Sequence, residues 1–179
     1  MNLILLRNVI FSFIFTVLIY LLFVNLVCNG KGFIDFYCSD IKEFNKFYAE
    51  HLRGHLFAGF LALGGFLLSL KTFIVVTMKE KVYDNKEYRK GVVLAKKRKT
   101  EITVYGPLKE LSDYLFYSII VSIFAAVLQL TLGLFEHTFT TVLCLYFCIL
   151  ATSLLTHSLM LIKNNLDTWF SYLEAEEPK

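Results

Sequence analysis

The sequence is short of charge. Only 18% of its 179 residues are Asp, Glu, Lys or Arg, against about 25% in an average soluble domain. The 33 charges cluster in a few segments with long uncharged stretches between them, which excludes an ordinary soluble domain. Two prolines and nine glycines exclude a collagen-like or low-complexity chain. The net charge of +3 is too weak to indicate nucleic acid as a partner. What is abundant is apolar: 56% of residues are hydrophobic, 16% are aromatic, and the mean hydropathy is +0.59.

The charge gaps define four candidate transmembrane helices, because a bilayer core about 30 Å thick takes roughly 20 apolar residues in a helix. They run at about 8–28, 51–78, 114–135 and 138–162, and none contains proline, Asp or Glu. The first is read as a retained helix. Its apolar region is longer than the 7–15 residues typical of a signal peptide, and Val27 is too large for the position before a lipoprotein cysteine at Cys28. The expected fold is an all-α membrane protein forming one four-span domain over 1–179. Loop 29–50 and the turn at Glu136–His137 lie on one side; loop 79–113 and tail 163–179 lie on the other.

Orientation follows from Lys and Arg in the loops. Loop 79–113 holds ten of them against six acids, whereas 28–50 holds three Lys against four acids. The basic loop is therefore expected in the cytoplasm, with both termini inside. Within it, residues 91–95 and 100–105 have β-like composition around Lys96, Lys97, Arg98 and Lys99, which predicts a small hairpin with a charged tip. Pro107 suits the first turn of a helix leading into span three. In the outer loop, Asp40 with Glu43 resembles a capping box, and Ile41, Phe44, Phe47, Tyr48 and Leu52 repeat at helical spacing. That helix either lies on the membrane boundary or packs its apolar face on the bundle. Trp169, Phe170 and Tyr172 read as an aromatic anchor at the inner boundary, ahead of the acidic Glu174, Glu176 and Glu177.

Two stripes of small or polar residues stand out. Span two carries Gly54, Ala58, Ala62, Gly65 and Ser69 on one helical face; span three carries Ser118, Ser122, Ala125, Gln129 and Gly133. Helices in lipid associate by close packing, which small residues allow. The simplest expectation is that spans two and three pack on each other through these stripes. The alternative is that a stripe meets a second protomer or lines a pore. Lys71 is expected to snorkel to the inner surface, with a contact to His157 or Ser69 as the alternative. His157, among Thr152, Ser153, Thr156 and Ser158, reads as a hydrogen-bonded structural histidine, and Gln129 as a polar group bonding across helices.

Little in the sequence points to catalysis. Quinone-linked thiol oxidases share the four-span outline, but their chemistry needs a C-x-x-C pair and a second outer pair. Here Cys28 and Cys38 are ten residues apart, candidates for a structural disulfide, and Cys144 and Cys148 lie one helical turn apart inside span four. His51 and His55 lie one turn apart and with Glu50 could bind a metal, but no full set of ligands is in view, so no metal is expected. There is no nucleophile–base set and no phosphate-binding loop. The expectation is a non-enzymatic protein with no cofactor, no metal and no direct contact with nucleic acid.

The four-span layout, Lys79-Glu80-Lys81-Val82-Tyr83-Asp84 leaving span two and Pro107-Leu108-Lys109-Glu110-Leu111-Ser112 entering span three together resemble the membrane subunit of the Kiwa anti-phage defence system. A four-span accessory protein of RNA-targeting CRISPR loci is a second resemblance. The first implies an oligomeric inner-membrane sensor of phage attachment that works with a cytosolic DNA-binding effector, with Lys96–Lys99 and the acidic tail as docking surfaces. The second fits an oligomeric pore or permeabilising protein.

Overall fold

The structure is a computed structural model that describes residues 2–27, 41–84, 105–135 and 137–176. Five α-helices account for nearly all of them. Helix α1 spans Asn2–Val27 and α2 spans Ile41–Phe47; a π-type turn, Tyr48–Leu52, joins α2 to α3, Arg53–Met78, which ends in a second π-type turn, Lys79–Tyr83. Helix α4 spans Gly106–Leu130 and closes in a 3₁₀ turn, Leu132–Leu134; α5 spans Thr138–Glu176. No strand occurs among the described residues. The hairpin expected over 91–105 falls, but for Tyr105, outside them, as do Lys96, Lys97, Arg98, Lys99, Cys28 and Cys38.

Four stretches are long and apolar enough to cross a membrane: Ile4–Val27, Lys42–Met78, Gly106–Leu134 and Thr138–Asp167. This is the architecture of a multi-pass membrane protein. The outside of the bundle agrees, since Phe13, Phe66, Phe73 and Phe139 are each more than 60% exposed. Such surface is costly against water and neutral against lipid tails.

The helices outrun the charge gaps. Helix α3 is preceded by helical chain from Ile41, α4 starts at Gly106 with Pro107 in its first turn, and α5 continues through the tail to Glu176. A charge gap marks where the bilayer ends. A helix ends where its backbone meets a breaker, and 163–176 contains neither Gly nor Pro.

Helix α3 packs on α4, α4 on α5, and α5 on α1. The α4–α5 turn is tight: the Thr131 amide donates to Val127 O (3.1 Å), and Thr140 Oγ1 donates to Phe135 O (2.9 Å) and His137 O (2.7 Å). The core lies in layers. Met78, Tyr83, Leu108, Leu111 and Leu115 fill the end nearest loop 79–113. Phe60, Ala125, Ala126, Cys148 and Ala151 fill the middle, and Tyr48, Leu128 and Cys144 the opposite end. Helix α2 packs on the bundle rather than standing apart: the Phe44 ring meets Phe23 of α1 at a tilt, with centroids 4.3 Å apart, and Asn45 Nδ2 donates to Thr138 Oγ1 at 3.1 Å.

Candidate functional site

Polar groups inside an apolar bundle need partners, so they show where the fold commits to geometry. Along α4, Ser118, Ser122, Ala125, Gln129 and Gly133 are all buried. Gln129 is fully enclosed. Its Oε1 accepts from the Tyr48 hydroxyl, and its Nε2 donates to Cys144 O (3.5 Å) and Cys148 Sγ (3.2 Å). One side chain thereby ties α4 to α5 and to the turn ahead of α3. Ser118 Oγ meets Ser158 Oγ at 2.8 Å across α4 and α5. Gly133 lets Arg53 approach, so that Arg53 Nη1 donates to Gly133 O at 3.2 Å; a Cβ at 133 would stand 3.2 Å from the Tyr48 hydroxyl and 3.4 Å from Arg53 Cδ.

The stripe on α3 behaves differently, and the expectation that it packs against α4 is corrected. Gly54, Ala58, Ala62, Gly65 and Ser69 are all exposed, and a Cβ at Gly54 or Gly65 would meet nothing within 4 Å. The face turned to α4 carries Phe60, Gly64 and Leu67 instead. Gly64 is the close approach: its Cβ would come within 2.8 Å of Ile123 Cγ1. With nearly every residue apolar, small size alone does not distinguish a packed face from an open one.

Lys71 contacts neither His157 nor Ser69. Its Nζ sits 4.8 Å from the centre of the Phe116 ring, a cation–π contact between α3 and α4. Ser69 Oγ returns to Gly65 O at 3.5 Å. The reading of His157 as a hydrogen-bonded histidine is also corrected. Its ring stands edge-on to Tyr114 at 4.8 Å, and its Nε2 is buried with no hydrogen-bond partner. Cys144 and Cys148 are free thiols, both buried. The His51 ring lies 5.1 Å from Phe47. Among the described residues no three His, Cys, Asp or Glu come together as a metal site.

A second polar ladder, not singled out from the sequence, runs along α1. Asn8, Ser12 and Thr16 recur at four-residue spacing and are buried, continuing to Val24 on the same face. Thr16 Oγ1 donates to Ser12 O at 2.7 Å, whereas Asn8 Nδ2 and Ser12 Oγ have no partner. The spacing was visible in the sequence; the long uncharged run around it masked it.

This ladder borders a cavity of about 860 Å³ among the described residues. Helix α1 packs along α5 with no packed seam to α3, and the space between them stays open. Its polar end is formed by Arg7, Asn8, Thr156 and His157, and its apolar length by Phe11, Phe15, Ile19 and Phe60. Phe23 and Phe44 close the far end. No family model, curated protein or solved structure matches the chain.

Proposed function

We propose that the chain is a non-enzymatic, oligomeric subunit of the bacterial inner membrane, acting as sensor and scaffold in an anti-phage defence complex of the Kiwa kind. The observation that carries the oligomeric part is the exposed stripe Gly54, Ala58, Ala62, Gly65 and Ser69. A row of small residues on an open helix face admits the backbone of another transmembrane helix, and a second protomer is the nearest source of one. The orientation follows the Lys/Arg excess of loop 79–113, which puts that loop and both termini in the cytoplasm. In this reading Lys96, Lys97, Arg98 and Lys99 dock a cytosolic effector.

A pore built from the same stripe is the second reading. The hydroxyls of Ser69 and Thr72 return to carbonyls of their own helix, at 3.5 and 3.3 Å, so this face meets apolar surroundings without unpaired donors. That favours protein contact over a water-lined path.

Extraction in mild detergent followed by mass determination of the intact complex tests both parts. The expected species is an oligomer carrying a cytosolic protein. Gly65→Leu should reduce the oligomer to single chains, and reversal of Lys96–Lys99 to Glu should release the cytosolic protein while the oligomer survives. If effector binding survives the reversal, the docking surface is wrong. Dye leakage from vesicles holding the purified chain alone would support the pore instead.

A further inference from the structure

The cavity between α1, α3 and α5 has two unlike ends, and their placement along the bilayer normal is informative. Arg7 lies twenty residues from Val27, and His157 nineteen from Thr138; at 1.5 Å per residue both stand about 30 Å from the opposite end of their helices. That is the thickness of the hydrocarbon core. Arg7 and His157 therefore share one level at the inner edge of the core, a little over one helical turn short of Ile162.

At this level the cavity is lined by a positive charge and by two polar side chains whose donors have no partner in the bundle. Arg7 carries the charge and forms no ion pair among the described residues. Asn8 is 9% exposed, lines the cavity, and has a buried Nδ2 without a partner. His157 lines it too, with Nε2 buried and unpartnered. No acidic side chain lines the cavity. From this end the groove continues over Phe11, Phe15 and Ile19, all more than a third exposed, toward Phe23. Phe23 lies sixteen residues beyond Arg7, a rise of about 24 Å, more than the roughly 15 Å depth of one leaflet. The volume of about 860 Å³ falls within the range of small-molecule sites.

We propose that this cavity binds one phospholipid with an anionic headgroup, drawn from the surrounding bilayer. Its phosphate is held by Arg7, Asn8 and His157, and one acyl chain lies along the groove. A phosphodiester is an acceptor-only, negatively charged group, the complement of a guanidinium, an amide NH₂ and an imidazole carrying its hydrogen on Nε2. A second copy of the chain fits less well, because its charge gaps at 8–28, 51–78, 114–135 and 138–162 carry no Asp or Glu to satisfy these donors. The apolar groove takes up the chain, which is already in lipid, at little cost.

The test uses the full chain, delipidated in detergent and examined by native mass spectrometry with phosphatidylglycerol or phosphatidylcholine at equal concentration. One phosphatidylglycerol should be retained about tenfold more tightly than phosphatidylcholine, which offers the same phosphodiester but sets its choline cation against the Arg7 charge. Arg7→Gln should erase that preference. Ile19→Trp, which fills the groove from a part-exposed position, should abolish retention of both lipids, whereas Leu159→Trp, an exposed apolar site outside the cavity, should change nothing. Because Ile19 lies outside the packed core, its variant keeps the test decisive if Arg7→Gln does not fold. Equal retention of the two lipids, or retention unchanged by Ile19→Trp, overturns the proposal. So does displacement of phosphatidylglycerol by millimolar inorganic phosphate, which would mark a free-anion site. A disulfide-linked dimer formed through Ile19→Cys would show that a second copy covers the groove, and overturns it as well.

Discussion

At the scale of single residues, the bundle is specified by a few polar contacts in an otherwise uniform apolar interior. Tyr48 and Gln129 are the deepest pair, both almost fully buried. Removing the Tyr48 hydroxyl leaves the Gln129 carbonyl oxygen without its donor in a site that water does not reach. In a membrane such bonds contribute about 0.6 kcal/mol on average and up to about 1.7. The enclosure of this pair puts Tyr48→Phe toward the upper figure in a mixed-detergent unfolding titration. The double variant Tyr48→Phe with Gln129→Leu should lose less than the sum of the two single changes, because the second substitution removes the orphaned group. Ser118 and Ser158 form a weaker version of the same device: one hydroxyl donates across to the other, which donates to a carbonyl of its own helix, Tyr114 O or Leu154 O, each 2.9 Å from its serine.

At the scale of helices, one position decides how close α3 and α4 can come. Gly64→Leu forces side-chain volume into the space held by Ile123, and overpacking of this kind costs about 1–3 kcal/mol. Gly65→Leu, one residue on, faces open surroundings and should leave the unfolding midpoint of the single chain unchanged. Parallel unfolding of the two variants separates the packed face from the free one. The four spans themselves were legible in the sequence, because their borders are drawn by charge and charge is scarce. Which face of a span turns inward was not. In a soluble helix, water writes the outer face in polar residues. In lipid both faces are apolar, and the stripe from Gly54 to Ser69 reads like a packed seam while lying open. The buried rows on α4 and α1 carry polar groups at four-residue spacing. Polarity was thus the better guide to the interior, and Asn8, Ser12 and Thr16 had carried it from the start. His157 and Lys71 were visible as charges or polar groups out of place, but their neighbours, Tyr114 and Phe116, come from α4 and depend on helix rotation that no local pattern records.

At the scale of the whole molecule, successive long helices alternate in direction, so that Glu80 and His137 lie at opposite ends of the bundle. Both are exposed. In a background with Cys28 and Cys38 changed to Ser, Glu80→Cys and His137→Cys should react with a membrane-impermeant maleimide from opposite sides of sealed vesicles. Labelling of both from the same side would contradict the four-span arrangement.

Helix α5 is one uninterrupted rod of 39 residues, about 58 Å long, and its final fourteen residues extend about 21 Å past Ile162. A rod that is stiff on both sides of a boundary acts as a lever with its fulcrum there. A change in tilt of about 10° within the bundle would swing the far tip by about 4 Å, given that length. The wall of the lipid-level cavity and the polar end of the chain are parts of one rigid body, so a displacement at the first reaches the second without any loop having to carry it.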